Sequence, residues 1–424
     1  MARAKLLTLA PLPTVRRAER AAAEAATAPP AELAFGDRHY VPVLKWKPAE
    51  QAAVLDLRRA TQGRYTPLIE FVRPSPPSEP KKRKDGTLPL AKPHDPPQRA
   101  LTHVENGLPA LTRAHFLSYP FFLDPDLVGG TILPTGDDAW IHIIRRARDL
   151  SLRAVPVMRL SSSEKRRECA HAASTLGLAL RVTRDDLWSR KAKLPRTVNE
   201  AAATPIRDTV STRIERVRAA WSDKRIPAHL VLDLGSVAGA PIDTVETLMD
   251  KAYGAVLKPD AWKTLTIVGA GFPVSLVTIK KNDIGLVDRT EFLAWSGRRR
   301  ERTYSRPPTF GDYVIQNSEA VEVGDPKKPI NPYAAIRYTL RRAWLVVKGE
   351  LISEIGGQQF ITLAARLADD KRFFPRPPHC EGCRRILETK EEYEAVLDLA
   401  GWRRWGTVHH ITLTVEQLEA LRAF

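Results

Sequence analysis

Cys380 and Cys383 stand three positions apart with His379 just before them, and an adjacent pair, His409 and His410, follows further along the chain. Thiolates and imidazoles are the ligands of tetrahedral zinc, and Cys-x-x-Cys accompanied by histidines is a spacing such sites use. If the His-His run is extended, however, its two side chains point to opposite faces and cannot both reach one ion. The expectation is therefore two isolated thiols in a loop; zinc held by Cys380, Cys383 and either His379 or one of the pair is the alternative. His409 and His410 are also candidate acids or bases, because imidazole titrates near neutral pH. Trp402 and Arg403 could offer a stacking surface to a base or ring, against a plain core role for Trp402 and Trp405.

A second set is built on oxygen. Glu70, Asp124 and Asp233 each close or nearly close a short apolar run, and carboxylates gathered from several runs can hold a hard divalent cation such as Mg²⁺, Mn²⁺ or Ca²⁺. Lys45, Lys47, Arg159, Arg181, Arg184 and Gln316 occupy similar positions, with Asp185 and Asp312 nearby, and the cations among them suit a substrate phosphate. Together these residue types describe metal-assisted phosphodiester hydrolysis; the plainer reading is that the charges pair with one another. Gly269-Ala270-Gly271 could turn backbone N–H groups toward a phosphate, or simply make a tight turn. No G-x-S-x-G, H-E-x-x-H or P-loop pattern occurs, so serine hydrolases, zincins and Walker-type nucleotidases gain no support.

Those positions matter because of the elements that carry them. Apolar β-type segments recur at 40–44, 66–71, 119–123, 154–160, 178–183, 229–234, 264–269 and 310–316. Between them lie stretches whose apolar residues return every three or four positions, as in Trp140, Ile143, Ile144, Ala147 and Leu150, or Val245, Leu248, Met249, Ala252 and Val256. Asp137 and Asp138 suit the first turn of one helix, and Asp243/Glu246 and Ser161/Glu164 have capping-box spacing. Alternation of this kind implies parallel strands, and eight such units close into a (β/α)₈ barrel without edges. An open doubly wound sheet is the competitor, but no G-x-G-x-x-G turn follows the first strand. In a barrel, ligands bind at the C-terminal strand ends, where the candidate residues fall.

The fold class expected is thus α/β, a TIM-like barrel over 38–329 with a C-terminal α+β appendage over 330–424. Residues 1–37, rich in Ala, Arg, Glu and Pro, read as a flexible basic arm, and 74–98 as a Pro/Lys-rich insertion carrying Lys81-Lys82-Arg83-Lys84. The 424 residues carry a formal net charge of +17, which favours an anionic ligand or nucleic acid as partner. Three cysteines exclude a disulfide framework, and no apolar run is long enough to span a membrane, so a soluble, cytoplasmic protein is expected.

Tyr40-Val41-Pro42-Val43-Leu44-Lys45-Trp46-Lys47, Thr66-Pro67-Leu68-Ile69-Glu70, Trp402-Arg403 and Gly406-Thr407-Val408-His409-His410-Ile411-Thr412 resemble motifs of the phage-type beta protein family. The likeness frames residues 40–424. It implies a phage, mobile-element or defence-related setting in which other protein components can be partners, and it carries no established chemistry. Two function classes follow: a metal-assisted enzyme acting on a phosphate-containing or nucleic-acid substrate, and a non-catalytic binding or host-interaction module on a basic barrel scaffold.

Overall fold

Short runs of Val, Leu, Ile and Phe that are buried along their whole length need partners on both edges and cover on both faces, which a closed parallel barrel provides. The computed structural model describes residues 33–57, 61–74, 95–114, 118–188, 193–319, 331–373 and 379–421. Its strands are β1 (Tyr40–Lys45), β2 (Leu68–Glu70), β3 (Phe121–Asp124), β4 (Ala154–Met158), β5 (Leu178–Thr183), β6 (Ala228–Ser236), β7 (Thr264–Ala270), β8 (Asp283–Asp288) and β9 (Thr309–Asp312). All but β8 form the closed barrel, in the order β1 to β7 and then β9, which returns to β1. The eight expected strands are all present. The third is shifted toward Asp124, and the last stops at Asp312, four residues short of Gln316.

Register aligns the rim. Lys45 pairs with Glu70, Glu70 with Asp124, and Thr183 with Asp233, so the strand ends lie level. Closure depends on Gly311: a Cβ there would come within 2.7 Å of both Val268 Cγ2 and the Val41 carbonyl oxygen, so a side chain would push β9 off its neighbours.

Helices cover the barrel through the stripes that periodicity exposes. In Ala139–Asp149, Trp140, Ile143, Ile144 and Ala147 are buried, and the Asp138 side chain caps the helix by accepting from the Trp140 N–H at 2.9 Å. In Ile242–Gly254, Val245, Leu248, Met249 and Ala252 are buried. Each fully buried aliphatic or aromatic side chain of this kind contributes about 1.5–3 kcal/mol. The two capping-box spacings do not act as caps: Ser163, not Ser161, precedes Glu164–Ala173 without a side-chain cap bond, and Asp243 lies inside its helix.

The appendage begins earlier than residue 330. β8 leaves the barrel sequence and pairs antiparallel with β11 (Ala343–Leu351), which also pairs with β10 (Tyr333–Thr339), giving a three-stranded sheet in the order β10-β11-β8. Helices Gln359–Ala368, Glu381–Lys390 and Leu399–Glu419 complete it. A second core gathers Ile336, Tyr338, Phe360, Leu363, Cys383 and Trp402, while Val408, Ile411, Val415 and Leu418 of the last helix join the main core. That helix is therefore the seam between barrel and appendage. Residues 1–32 of the expected arm and 75–94 of the insertion, including the Lys81–Lys84 cluster, lie outside the described residues.

Candidate ligand-binding site at the barrel mouth

Neighbouring residues on a strand face opposite sides, so at the level rim Lys45, Glu70, Asp124, Arg181 and Asp233 all turn inward, and Tyr313, one residue past β9, joins them. Arg181, 2% exposed, stands at the centre. Its Nη1 donates to Glu70 Oε1 at 2.7 Å and to Asp124 Oδ2 at 2.6 Å, its Nε donates to Asp233 Oδ2 at 2.9 Å, and Tyr313 Oη donates to the same Asp233 oxygen at 2.8 Å. Burial opposes ionisation of Asp233, but Arg181 and the Gly235 amide outweigh it and hold the carboxyl below its usual range. Lys45 reaches the Ser318 carbonyl oxygen at 3.3 Å, and burial lowers its pKa.

The three expected metal carboxylates do converge, but on a guanidinium. The place that a Mg²⁺ or Mn²⁺ ion would need is taken by Arg181, and Asp124 also accepts from Arg159 Nη2 at 2.7 Å. The charges at this rim therefore compensate one another, and Arg181 is a structural centre, not an exposed substrate contact.

Above the cluster opens a cavity of about 730 Å³. Arg159, Arg184, Arg207 and Arg213 line it together with Asp126, Asp185, Asp186, Glu319 and Tyr313, so both signs of charge face the cavity. Arg159 and Arg213 also line a second cavity of about 310 Å³, between helices Glu164–Ala173 and Val210–Asp223, where Arg167 and Arg216 meet Val217, Ala220 and Trp221. Among the described residues that line this cleft, four are arginines and none is a carboxylate. The Arg159 side chain is only 10% exposed; Nη2 is used by Asp124, and Asp126 lies 3.6 Å from Nε, while Nη1 has no acceptor among the described residues. A buried guanidinium N–H without an acceptor is costly and is the kind of donor that an anionic ligand satisfies.

The other candidates lie elsewhere. Asp312 faces the outside of the barrel wall, where it accepts from Tyr40 and from the Val314 N–H and meets His410 Nε2 at 2.9 Å. His410 is fully buried, its other nitrogen 3.0 Å from Thr339 Oγ1, and burial lowers its pKa. It does not reach the mouth and is no acid or base there. Gln316 is spent on Glu50, and Trp402 is a core residue against Phe360 whose indole N–H donates to the Val396 carbonyl. Arg403 sits instead near Lys47 and Glu50, and burial together with Arg403 brings the Lys47 pKa down to about 8. The Gly269-Ala270-Gly271 turn is closed to phosphate, because the Glu291 carboxyl packs against Gly271 so tightly that a Cβ there would overlap it.

The thiols are not isolated in a loop. His379, Cys380, Cys383 and His409 place one ligand atom each within 4.8 Å of one another. The His-His run is helical, so consecutive side chains are rotated about 100° instead of opposed. His409 consequently faces the cysteines while His410 faces Asp312. Cys380 hydrogen-bonds Cys383, which pushes the Cys380 pKa up and, with His409 beside it, holds the Cys383 pKa down.

Fold and site together define a (β/α)₈-barrel protein with a mouth lined by arginines and carboxylates and an appendage of helices on a three-stranded sheet. Residues 40–416 match the sequence profile of the family described as "Beta protein", and the chain belongs to that family. No curated protein matches it. No helix among the described residues is long and apolar enough to cross a membrane.

Proposed function

We propose that the protein binds a phosphate-bearing ligand with a ring or apolar portion, a nucleotide or a nucleic-acid end, at the barrel mouth. The observation that carries this is Arg159, nine-tenths buried and lining both cavities, with an Nη1 donor that has no acceptor among the described residues. In this reading the phosphate takes Arg159 and Arg213, and the ring lies along Val217, Ala220 and Trp221. The net charge of +17 raises the local concentration of such anions. Binding replaces metal-assisted hydrolysis as the leading function because Arg181 already neutralises the carboxylates that would have held the metal.

Calorimetric titration of the full chain with pyrophosphate, ATP and a short single-stranded oligonucleotide, with and without Mg²⁺, tests it. Arg159→Met leaves Asp124 its bond to Arg181, so the fold is kept. The variant is expected to bind about tenfold or more weakly, as loss of a charge-assisted hydrogen bond of roughly 1.5–3 kcal/mol requires. Equal affinity of wild type, Arg159→Met and Arg213→Met for every phosphate ligand would overturn the reading.

A further inference from the structure

We propose that His379, Cys380, Cys383 and His409 bind one zinc ion in a closed tetrahedral site that fastens the C-terminal helix to the appendage. Tetrahedral coordination at about 2.3 Å for sulfur and about 2.0–2.1 Å for nitrogen places two sulfurs roughly 3.8 Å apart and sulfur and nitrogen roughly 3.6 Å apart. The side chains already stand at those separations: Cys380 Sγ to Cys383 Sγ is 3.7 Å, and each sulfur is 3.4 Å from His409 Nδ1.

The outer partners point the same way. His409 Nε2 lies 2.8 Å from the Thr339 carbonyl oxygen, which fixes the tautomer with its proton on Nε2 and turns the Nδ1 lone pair toward the thiols. His379 Nε2 lies 2.6 Å from Glu416 Oε2, the carboxylate–histidine pairing that orients metal-bound imidazoles and leaves Nδ1 to ligate. Close approach of the helices is built in at Gly382, where a Cβ would strike the Trp405 carbonyl oxygen and hold Cys383 away from His409. Two thiolates and two imidazoles select zinc over Mg²⁺ or Ca²⁺. Cys380, Cys383 and His409 are buried and protein atoms supply all four ligands, so the ion is structural, with no open position for a substrate. Through the next residue, His410 on Asp312, the same helix is tied to the barrel wall.

Elemental analysis of the full chain, purified without chelator or metal-affinity resin, should find one zinc per chain, lost in Cys383→Ser and His409→Ala and kept in Cys169→Ser. Because the ligand variants can fail to fold, the wild type exchanged into cobalt gives a second readout: tetrahedral d–d bands with thiolate-to-cobalt charge transfer. Wild-type protein that carries no metal and takes up no cobalt, or that shows a Cys380–Cys383 disulfide by mass, would overturn the site, as would full zinc occupancy in a folded Cys383→Ser.

Discussion

Arg181→Met should cost about 3–5 kcal/mol of folding stability, the range for breaking a buried ion pair by removing one partner. Arg181 is tied to carboxylates 111, 57 and 52 residues away in sequence, on β2, β3 and β6, and to Tyr313 beyond β9. Without it, Glu70, Asp124 and Asp233 face one another at the rim, and each must either ionise beside its neighbours or take up a proton. Urea denaturation at neutral pH measures the loss. Arg181→Lys should recover only part, since an ammonium lacks the fork that reaches three carboxylates at once. The same variant tests the idea that a guanidinium occupies a would-be cation position. Millimolar Mg²⁺ or Ca²⁺ should stabilise Arg181→Met and leave the wild type unchanged, by mass action on a site that only the variant exposes. A loss below about 1 kcal/mol would show that the cluster behaves as a solvent-screened surface pairing and not as a buried charge centre.

Glu291→Gln should stabilise the protein at alkaline pH and change little in acid. Burial, and then the Asp312 carboxylate, raise the Glu291 pKa from 4.5 to about 8. The native state therefore keeps a proton that the unfolded chain releases, so stability falls as pH rises from about 4.5 to about 8, by at most about 1.4 kcal/mol per pH unit. Above that window both states are ionised and the slope ends. Asp312, Tyr40 and His410 share this pocket in both proteins, beside the Arg289 guanidinium, so the difference between variant and wild type isolates Glu291. Melting temperatures at about pH 5 and about pH 9 should nearly coincide at the first and favour Glu291→Gln by several degrees at the second. Parallel pH profiles would contradict a buried protonated Glu291.

The barrel was legible because its strands are continuous apolar runs at regular spacing, and the strand-end rule then collected Glu70, Asp124, Arg181 and Asp233. Pairing among them was not, since which cation sits between three carboxylates depends on rim geometry. Tyr313 was hidden inside a strand read as running to residue 316, whereas the chain turns at Val314, whose φ is +60°. β8 escaped because Asp283 and Asp288 bracket a glycine-containing stretch whose partner, β11, comes much later in the chain. The last helix was misread for a physical reason: Thr407, Val408, Ile411, Thr412, Thr414 and Val415 are β-branched, and burial between two cores overrides their weak helix preference. Read as a strand, the pair puts its two imidazoles on opposite faces, which left isolated thiols as the expectation and zinc as the alternative. Arg213, Arg216, Val217, Ala220 and Trp221 were findable, since their three- and four-residue spacing puts arginines and apolar side chains on one helical face, but nothing local says that this face meets the mouth.

In the proposed function the mouth and its side cleft are a phosphate site centred on Arg159. A crystal structure of the full chain grown with pyrophosphate decides the matter. A phosphate oxygen is expected within about 3 Å of Arg159 Nη1, in reach of Arg213, with the Arg181 cluster undisturbed. Pyrophosphate bound elsewhere, or a divalent cation displacing Arg181 among Glu70, Asp124 and Asp233, would contradict it.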